Sequence, residues 1–387
     1  MDSLTQVVLG ATVGEAVAGP RVGRRAALWG ALAGTLPDLD ILAYPFLDAA
    51  GELRFHRGLT HGLAFAFIAG PLLGGLVWRI ERWRAERARG RPEREAGTWR
   101  LWGWLAFWAL LTHPLLDVFT VYGTQLLAPF SDRPFAVGSV FIIDPLYTVP
   151  LAVCLGVAVW AGRSARARRA AFVGLALSTA YLGWGVGAQA HVRGTVETAY
   201  AERGIEPERL LIAAGPLTTL WWRGIARVDG AVEPFSVHLL DPPWDVAFGA
   251  PIEGPALPPR VADSRMGRTL AWFSRGWLVP AAAPAGSSGG DSLFVADPRF
   301  GRLGAGPEAP FVFMWAVGAE PPHGFAQRRP AVPPGVLGQI ASRFSLTRPE
   351  ETKPGAEDAG AARSSPNRPS PAAYPTRSPS PTRPPTP

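Results

Sequence analysis

The stretch Phe55-His56-Arg57-Gly58-Leu59-Thr60-His61 stands at the start of a long apolar run, residues 59–80. Two imidazoles, a guanidinium and a hydroxyl lie there beside hydrocarbon, where polar side chains are costly and usually mark function. The run is close to the roughly 20 residues that a helix needs to span a bilayer. The sequence therefore predicts a membrane helix with a polar site at one end.

The composition agrees with a membrane protein. Of 387 residues, 48% are hydrophobic and 15 are Trp. Further apolar runs lie at 4–19, 26–47, 101–121, 139–160 and 170–190. The first is short and holds Glu15, so a half-span, a re-entrant segment and a surface helix are all open for it. We predict a mostly α-helical integral membrane protein with about five or six membrane segments.

The charge pattern indicates an orientation. A net charge of +7 would suit nucleic acid, but the arginines concentrate in short loops between apolar runs, so we predict membrane topology and no nucleic-acid partner. By the positive-inside rule, segments 21–25, 79–100 and 163–169 are cytoplasmic, and everything after residue 190 is outside. We expect a multi-pass protein of the bacterial cytoplasmic (inner) membrane.

The two ends of the chain and its cysteine content add further expectations. Met1-Asp2-Ser3 lacks a basic region, so no cleaved signal peptide is expected. The single Cys154 excludes an intramolecular disulfide and a cysteine-based metal cluster.

The composition and the hydrophobic pattern of the sequence change after residue 190. Short β-type runs separated by Pro/Gly turns appear at 217–222, 232–240, 292–295 and 310–317. A helix is expected over 265–278. We predict three parts: a helical membrane domain at 1–190, a β-rich α+β extracytoplasmic domain at 191–348, and a disordered Pro/Ser/Thr/Arg-rich tail at 349–387.

Histidines and carboxylates recur in the membrane part, and the predicted topology places all of them at the same depth on the outer side. They are Asp38, Asp40, His56, His61, His113, Asp117 and Asp144. His113 and Asp117 are spaced i, i+4 and share one face of a helix. The topology therefore predicts one outward-facing polar pocket.

The donor types in this pocket indicate a metal. Imidazole with carboxylate suits zinc, manganese or iron, and we expect one or two divalent ions, zinc or manganese, that lower the pKa of bound water and polarise the substrate. The predicted ligands are Asp38, Asp40, His56, His61, His113 and Asp117.

Three residues are candidate catalytic groups: Asp38, Arg57 and Asp144. Arg57 could clamp an anionic group such as phosphate. Thr60 is expected to orient a ligand from behind or to cap a helix.

Each residue also has a purely structural interpretation. Asp38 and Asp40 could end a helix near the interface, and His56 could be an interfacial histidine with nothing bound. His113 with Asp117 could be a hydrogen-bonded pair in helix packing, and Asp144 could be a helix cap. We favour a metal-centred site because the structural interpretations require several independent polar residues to coincide in depth.

The helical half contains an ordered series of motifs: Met1-Asp2-Ser3-Leu4-Thr5-Gln6, Gly14-Glu15, Gly34-Thr35-Leu36-Pro37-Asp38-Leu39-Asp40, His56-Arg57-Gly58-Leu59-Thr60-His61 and His113-x-x-x-Asp117. This series resembles a known family, the YdjM/YbcI type of inner-membrane, metal-dependent hydrolase. The resemblance covers roughly residues 1–190 and implies a membrane-bound hydrolase with a metal. Where the family often has serine after the second histidine, this chain has Gly62.

Three functions follow as hypotheses. The first is a metal-dependent hydrolase at the outer leaflet, acting on a lipid-linked or phosphoester substrate, with membrane lipid as its partner. The second is a metal or proton transporter, because intramembrane Asp and His can form a relay. The third is a membrane-anchored envelope scaffold with incidental histidines. The sequence leaves the oligomeric state open.

Overall fold

The structure, a computed structural model, describes residues 1–87, 97–240, 245–283, 292–303, 309–318, 325–328 and 338. All of them belong to the compact unit Met1–Phe344. The predicted disordered tail, 349–387, lies outside the described residues.

The N-terminal half is helical. Among the described residues, its α-helices are α1 Ser3–Val22, α2 Arg25–Thr35, α3 Ala49–Phe55, α4 Leu63–Arg87, α5 Trp99–Val118, α6 Pro145–Ala161 and α7 Ala165–Glu202. Two 3₁₀ segments, Leu36–Phe46 and Leu59–His61, lie between them. Short polar side chains begin several helices by accepting a backbone N–H bond, as Asp2 does for α1 and Ser164 for α7.

Helix α1 is the central helix. It packs against α2, α5, α6 and α7, and most of its residues are buried. Glycines bring α1 and α2 into backbone contact: a Cβ on Gly10 would lie 2.4 Å from the Gly30 carbonyl oxygen. The surface-helix interpretation of run 4–19 is therefore wrong, because neighbouring helices enclose this segment.

The apolar run 26–47 forms two elements rather than one. Helix α2 ends at Thr35, and the chain continues as the 3₁₀ segment Leu36–Phe46. Pro37 has no backbone N–H, so it cannot donate the hydrogen bond to the Ala33 carbonyl that would continue α2, and the Leu36 N–H bonds that carbonyl instead. This break places Asp38 and Asp40 on the tighter segment.

Among the described residues, two helices are long and apolar enough to cross a membrane, α4 and α7, and α6 is a shorter apolar helix. All three expose large apolar side chains, including Leu72 of α4, Trp160 of α6 and Phe172 of α7. An exposed apolar surface of this kind suits contact with lipid. The number of five or six membrane segments stays a prediction.

The described residues of the C-terminal part form two antiparallel four-stranded sheets. The first consists, in order, of β1 Arg209–Ala214, β2 Trp221–Val228, β3 Ala231–His238 and β4 Ala247–Phe248. The second consists of β5 Val279–Pro280, β6 Ser292–Ala296, β7 Met314–Gly318 and β8 Phe325–Arg328. Helices α8 Pro259–Ala262 and α9 Arg265–Phe273 precede the second sheet.

Side-chain alternation along the strands builds a layered arrangement. In β2, Trp222 packs in a cluster with the end of α7, whereas Ile225 packs in a cluster with the second sheet. The other face of the second sheet, including Trp315, packs against α9 and α3. The strand period of two therefore gives both sheets two buried faces.

Several predicted boundaries differ from the structure. The run 217–222 is mostly a turn, and the strand begins at Trp221. Strand β1 was not predicted, and α9 ends at Phe273, before the expected residue 278. Helix α7 continues to Glu202, past the predicted boundary at 190, because its last turns gain a buried apolar face against the first sheet.

Candidate metal centre

Four side chains from three separate elements converge in the helical half. Asp38 comes from the 3₁₀ segment after α2, His61 from the 3₁₀ turn before α4, and His113 and Asp117 from α5. One potential ligand atom of each lies within 4.8 Å of all the others. His61, His113 and Asp117 are fully buried, whereas the Asp38 side chain is 19% exposed and gives the group its opening.

The ligand-atom separations that involve an imidazole nitrogen are nearly uniform. The two Nε2 atoms of His61 and His113 are 3.2 Å apart. Asp38 Oδ1 lies 3.5 Å from the first and 3.3 Å from the second. Asp117 Oδ2 lies 3.5 and 3.6 Å from the same two atoms.

Hydrogen bonds on the outer side of each imidazole indicate its tautomer. His113 Nδ1 lies 2.5 Å from the Gly34 carbonyl oxygen, which can only accept, so Nδ1 carries the proton. His61 Nδ1 lies 3.1 Å from Thr60 Oγ1 and 3.7 Å from Asp40 Oδ2, which favours a proton there too. These assignments follow from the hydrogen-bond network and leave both Nε2 lone pairs directed into the group.

The residues fit a metal ion. Two lone pairs and two carboxylate oxygens face one another, and Asp117 Oδ2 is buried without a hydrogen-bond partner. With bonds of about 2.0–2.2 Å, tetrahedral ligands lie roughly 3.3–3.6 Å apart, which agrees with the 3.2–3.6 Å between each imidazole nitrogen and the other three ligand atoms. This buried group of Asp and His residues could therefore bind one metal ion.

Asp40 and His56, both predicted ligands, lie outside the four-residue group. Asp40 accepts a hydrogen bond from the Arg57 backbone N–H at 3.0 Å, and its other oxygen lies 3.0 Å from His56 Nδ1. Asp40 faces the Nδ1 side of His61, opposite to the nitrogen that points into the group. The Asp40 carboxylate therefore orients the rings of His56 and His61 through their Nδ1 atoms. Thr60 also contacts Nδ1 of His61, which agrees with its predicted role of orienting a ligand.

Arg57, a predicted anion clamp, is engaged with protein groups. Its side chain is 4% exposed, its Nε lies 3.3 Å from Asp117 Oδ2, and its Nη1 donates to Thr120 Oγ1 at 3.1 Å. Its backbone is left-handed, with φ of 56°, and is held by bonds to Asp40 and Gln125. The geometry makes Arg57 a support for Asp117 rather than an open guanidinium.

Asp144, a predicted catalytic residue, is also outside the group. Its Oδ1 caps α6 by accepting the Leu146 N–H at 3.1 Å. The Tyr181 hydroxyl donates to the carboxylate, 2.9 Å from Oδ2. The structure thus places Asp144 at the junction of α6 and α7.

Three residues in or beside the group have contacts that the sequence analysis missed: Met1, Gln6 and Tyr122. Gln6 Nε2 donates to Asp117 Oδ1 at 3.0 Å, and the amino group of Met1 also contacts that oxygen. The Tyr122 ring stacks edge-on to His56 at 5.5 Å and lies 4.8 Å from the Arg57 guanidinium. Gln6 could have been found as an amide inside an apolar run; Tyr122 stands in a loop with no such signal.

Comparisons with known proteins agree on the helical half. The model of a family described as YdjM inner membrane protein matches residues 1–192. Inner membrane protein YbcI of Escherichia coli (strain K12) is 38% identical over 128 residues, which are 31% of this chain and 66% of YbcI. Uncharacterized protein YfhP of Bacillus subtilis (strain 168) is 28% identical over 167 residues, which are 41% of this chain and 46% of YfhP.

The chain thus spans less than two thirds of each of these relatives. No solved structure shows significant similarity to it. The matched range includes all four converging residues, and the sheets lie beyond it. Together with the exposed apolar helices, these matches support a membrane location. Through residues 1–192, the chain belongs to the YdjM inner membrane protein family.

Proposed function

We propose that this protein is a membrane-bound, metal-dependent hydrolase whose site opens at the outer leaflet of the bacterial cytoplasmic membrane. The observation that carries the proposal is the convergence of two unprotonated Nε2 atoms and two carboxylate oxygens within 4.8 Å of one another, with each Nε2 atom 3.2–3.6 Å from the other three atoms. A divalent ion, zinc or manganese, would act there as a Lewis acid that polarises a substrate oxygen. Asp38, His61, His113 and Asp117 would hold it.

The remaining residues orient this group and admit substrate. Gly34, Asp40 and Thr60 fix the two imidazoles, and Arg57 fixes Asp117. His56 has a side chain 22% exposed and is oriented by Asp40. Since the described residues offer no hydrogen bond to its Nε2, we assign His56 to contact with the substrate.

The outer-leaflet location rests on the two ends of α1. At its start, Gln6 contacts Asp117. At its far end, Arg24 donates to the Val159 carbonyl, and Arg25 pairs with Glu81 near the end of α4, so the arginine-rich segments gather there. A helix of 20 residues is about 30 Å long, the thickness of the hydrocarbon layer. Cytoplasmic arginines would then leave the site outside.

A lipid-linked or phosphoester substrate suits this position. The site would lie at headgroup depth. Phe46, at the end of the segment that carries Asp38, is 88% accessible, and Phe130, two residues after Ala128, which contacts Gly62, is 87% accessible. Such side chains suit insertion into lipid, the proposed partner of this surface. Five or six membrane segments and an extracytoplasmic sheet region complete the proposed topology.

The hydrolase proposal is tested by separating metal binding from turnover. Purified protein, loaded with zinc or manganese, is assayed against phosphoester and lipid-linked phosphate substrates. We expect His61→Ala to lose metal and activity together. His56→Gln should keep the metal but lose about tenfold in kcat/KM, the effect of one hydrogen bond of about 1.5 kcal/mol. Full activity of metal-free His61→Ala protein would contradict the proposal.

A metal or proton transporter is the second candidate, favoured by one observation. Glu15 is buried in α1, and its Oε1 has no hydrogen-bond partner. An intramembrane carboxyl of this kind can belong to a relay. Proteoliposome flux that Asp117→Asn abolishes, without any hydrolysis by the wild type, would favour transport.

A further inference from the structure

A cavity of about 240 Å³ opens beside the first sheet, outside the residues that match the family. It lies between the end of α7, strand β1, the loop after α5 and the turn after α9. Its walls include Gly138, Gln189, Arg193, Arg209, Arg275 and Trp277. At about 30 Å³ per water molecule, its size suits a small polar group rather than a large apolar ligand.

The cavity carries positive charge with few carboxylates. Arg193 pairs with Glu197 at 3.5 Å, on the same helix. The Arg209 guanidinium donates to the Arg275 carbonyl oxygen at 3.1 Å. Among the described residues, no carboxylate forms an ion pair with the guanidinium of Arg209 or with that of Arg275. Nearby Asp297 is bound to Arg299 by both oxygens. Within the part of the chain that the structure describes, no carboxylate therefore balances the charges of Arg209 and Arg275.

Arg275 has an unmet donor and an unusual backbone. Its Nη2 donates to the Val121 carbonyl at 3.1 Å, but its Nε is buried without a hydrogen-bond partner. Its φ of 53° lies in the left-handed region, just after α9, where glycine is the usual residue. A bulky side chain held in such a conformation suggests a functional role.

Arg275 keeps its charge at neutral pH. Burial lowers its pKa to about 10, and the charges of Arg299 and Arg209 act in the same direction while Asp297 opposes them. A bound anion would relieve this repulsion.

The cavity is also connected to the candidate metal centre. Arg275 and Arg299 donate to backbone carbonyls of Val121, and Arg299 also to that of Tyr122. The Tyr122 ring contacts His56 and Arg57. A ligand that binds Arg275 would therefore act on the backbone at Val121 and, through Tyr122, on the residues beside the candidate metal centre.

We propose that Arg193, Arg209 and Arg275 form a phosphate-binding site in this cavity. Guanidinium groups match phosphate oxygens with paired N–H donors. The Trp277 ring supports the arrangement, because Arg209 lies 4.8 Å and Arg227 5.5 Å from its centre. The phosphate is either a free ion or a lipid headgroup, since Arg193 follows directly after the apolar run 170–190.

The test is calorimetric titration of inorganic phosphate into the full chain. The protein is stripped of metal with a chelator, so that phosphate cannot bind through a metal, and held in a maltoside detergent that carries no phosphate. We expect saturable binding with a Kd at or below about 1 mM. Arg209→Gln should weaken it about tenfold or more, as expected for the loss of a charged hydrogen bond.

Arg82→Gln is the matched control, because Arg82 also pairs with a glutamate four residues on but lines no part of the cavity. It should bind phosphate as the wild type does. Arg193→Gln, which also replaces an exposed side chain, serves as the second cavity variant if Arg209→Gln fails to fold. Absence of saturable binding, or equal affinities for the cavity variants and the wild type, overturns the proposal.

Lipid nanodiscs identify the source of the phosphate. If a headgroup occupies the cavity, phosphatidylglycerol nanodiscs should lower the apparent affinity for free phosphate relative to detergent, and Arg209→Gln should abolish this difference. If the ligand is a free phosphate, the affinity should be the same in both environments.

Discussion

At the residue scale, the central feature is two imidazoles that direct lone pairs at each other across 3.2 Å. A neutral histidine pair in packing would place a proton between the rings, but the Gly34 carbonyl and the Thr60 hydroxyl hold the protons on the outer nitrogens. Two carboxylates complete the group. A cation is the simplest way to balance these four donors.

Asp40 should tune metal affinity without holding the metal. Its carboxylate faces the Nδ1 atom of His61 and the backbone of Arg57. We expect Asp40→Asn to keep the metal stoichiometry but to weaken affinity about 10–100-fold, as is typical for groups behind a ligand. Competition with a chelating dye measures this.

Asp132→Asn is the control, since that carboxylate is exposed and pairs only with Arg54 among the described residues. Its affinity should equal that of the wild type. A complete loss of stoichiometric metal in Asp40→Asn would instead identify Asp40 as a ligand.

At the element scale, the contact between α1 and α2 positions the metal centre. Gly10 and Gly30 let the two backbones touch, and α2 leads directly into the segment that bears Asp38. The Gly34 carbonyl that fixes His113 belongs to the same helix. The spacing between α1 and α2 therefore determines whether two parts of the group meet α5.

Gly10→Ala should disturb both stability and metal binding. The new Cβ would lie 2.4 Å from the Gly30 oxygen, and overpacking of this kind costs about 1–3 kcal/mol. We expect a lower Tm and weaker metal affinity. Gly75→Ala, where a Cβ would meet nothing within 4 Å, should leave both unchanged or raise the Tm slightly. Equal behaviour of the two variants would refute the packing argument.

Helical periodicity explains how much of the site could be predicted. The i, i+4 spacing of His113 and Asp117 and the predicted outer position of Asp38 and His61 place these residues among the six predicted ligands. In the structure, one potential ligand atom of each of the four lies within 4.8 Å of the others. The separate placement of Asp40 and His56 depends on the 3₁₀ geometry after Pro37. Apolar periodicity does not encode that geometry.

Long-range packing explains the rest. Strand β1 carries Arg209 and pairs with β2, but its continuous apolar stretch, residues 210–214, lacks the polar–apolar alternation that marks a half-buried strand. The last turns of α7 look polar in sequence, yet Val192, Val196 and Tyr200 form a buried stripe against the first sheet. Such burial is visible only when the partner surface is known.

At the scale of the whole molecule, the proposed orientation places the two ends of α7 on opposite sides of the membrane. Arg166 near its start should be cytoplasmic, and Glu206 just after its end should be outside. Both side chains are exposed. In a Cys154→Ser background, we expect an impermeant maleimide to label Glu206→Cys in intact spheroplasts and Arg166→Cys only after permeabilisation. The reverse pattern, or labelling of both from outside, would contradict the orientation.

The most direct measurement of the central claim is the metal content of purified protein, determined by elemental mass spectrometry after extensive dialysis. The geometry of Asp38, His61, His113 and Asp117 predicts one tightly bound transition-metal ion per chain, as expected for four protein ligands. A folded His61→Ala/His113→Ala variant should contain none. A wild type that folds and takes up no metal, or a double variant that retains it, would contradict the account.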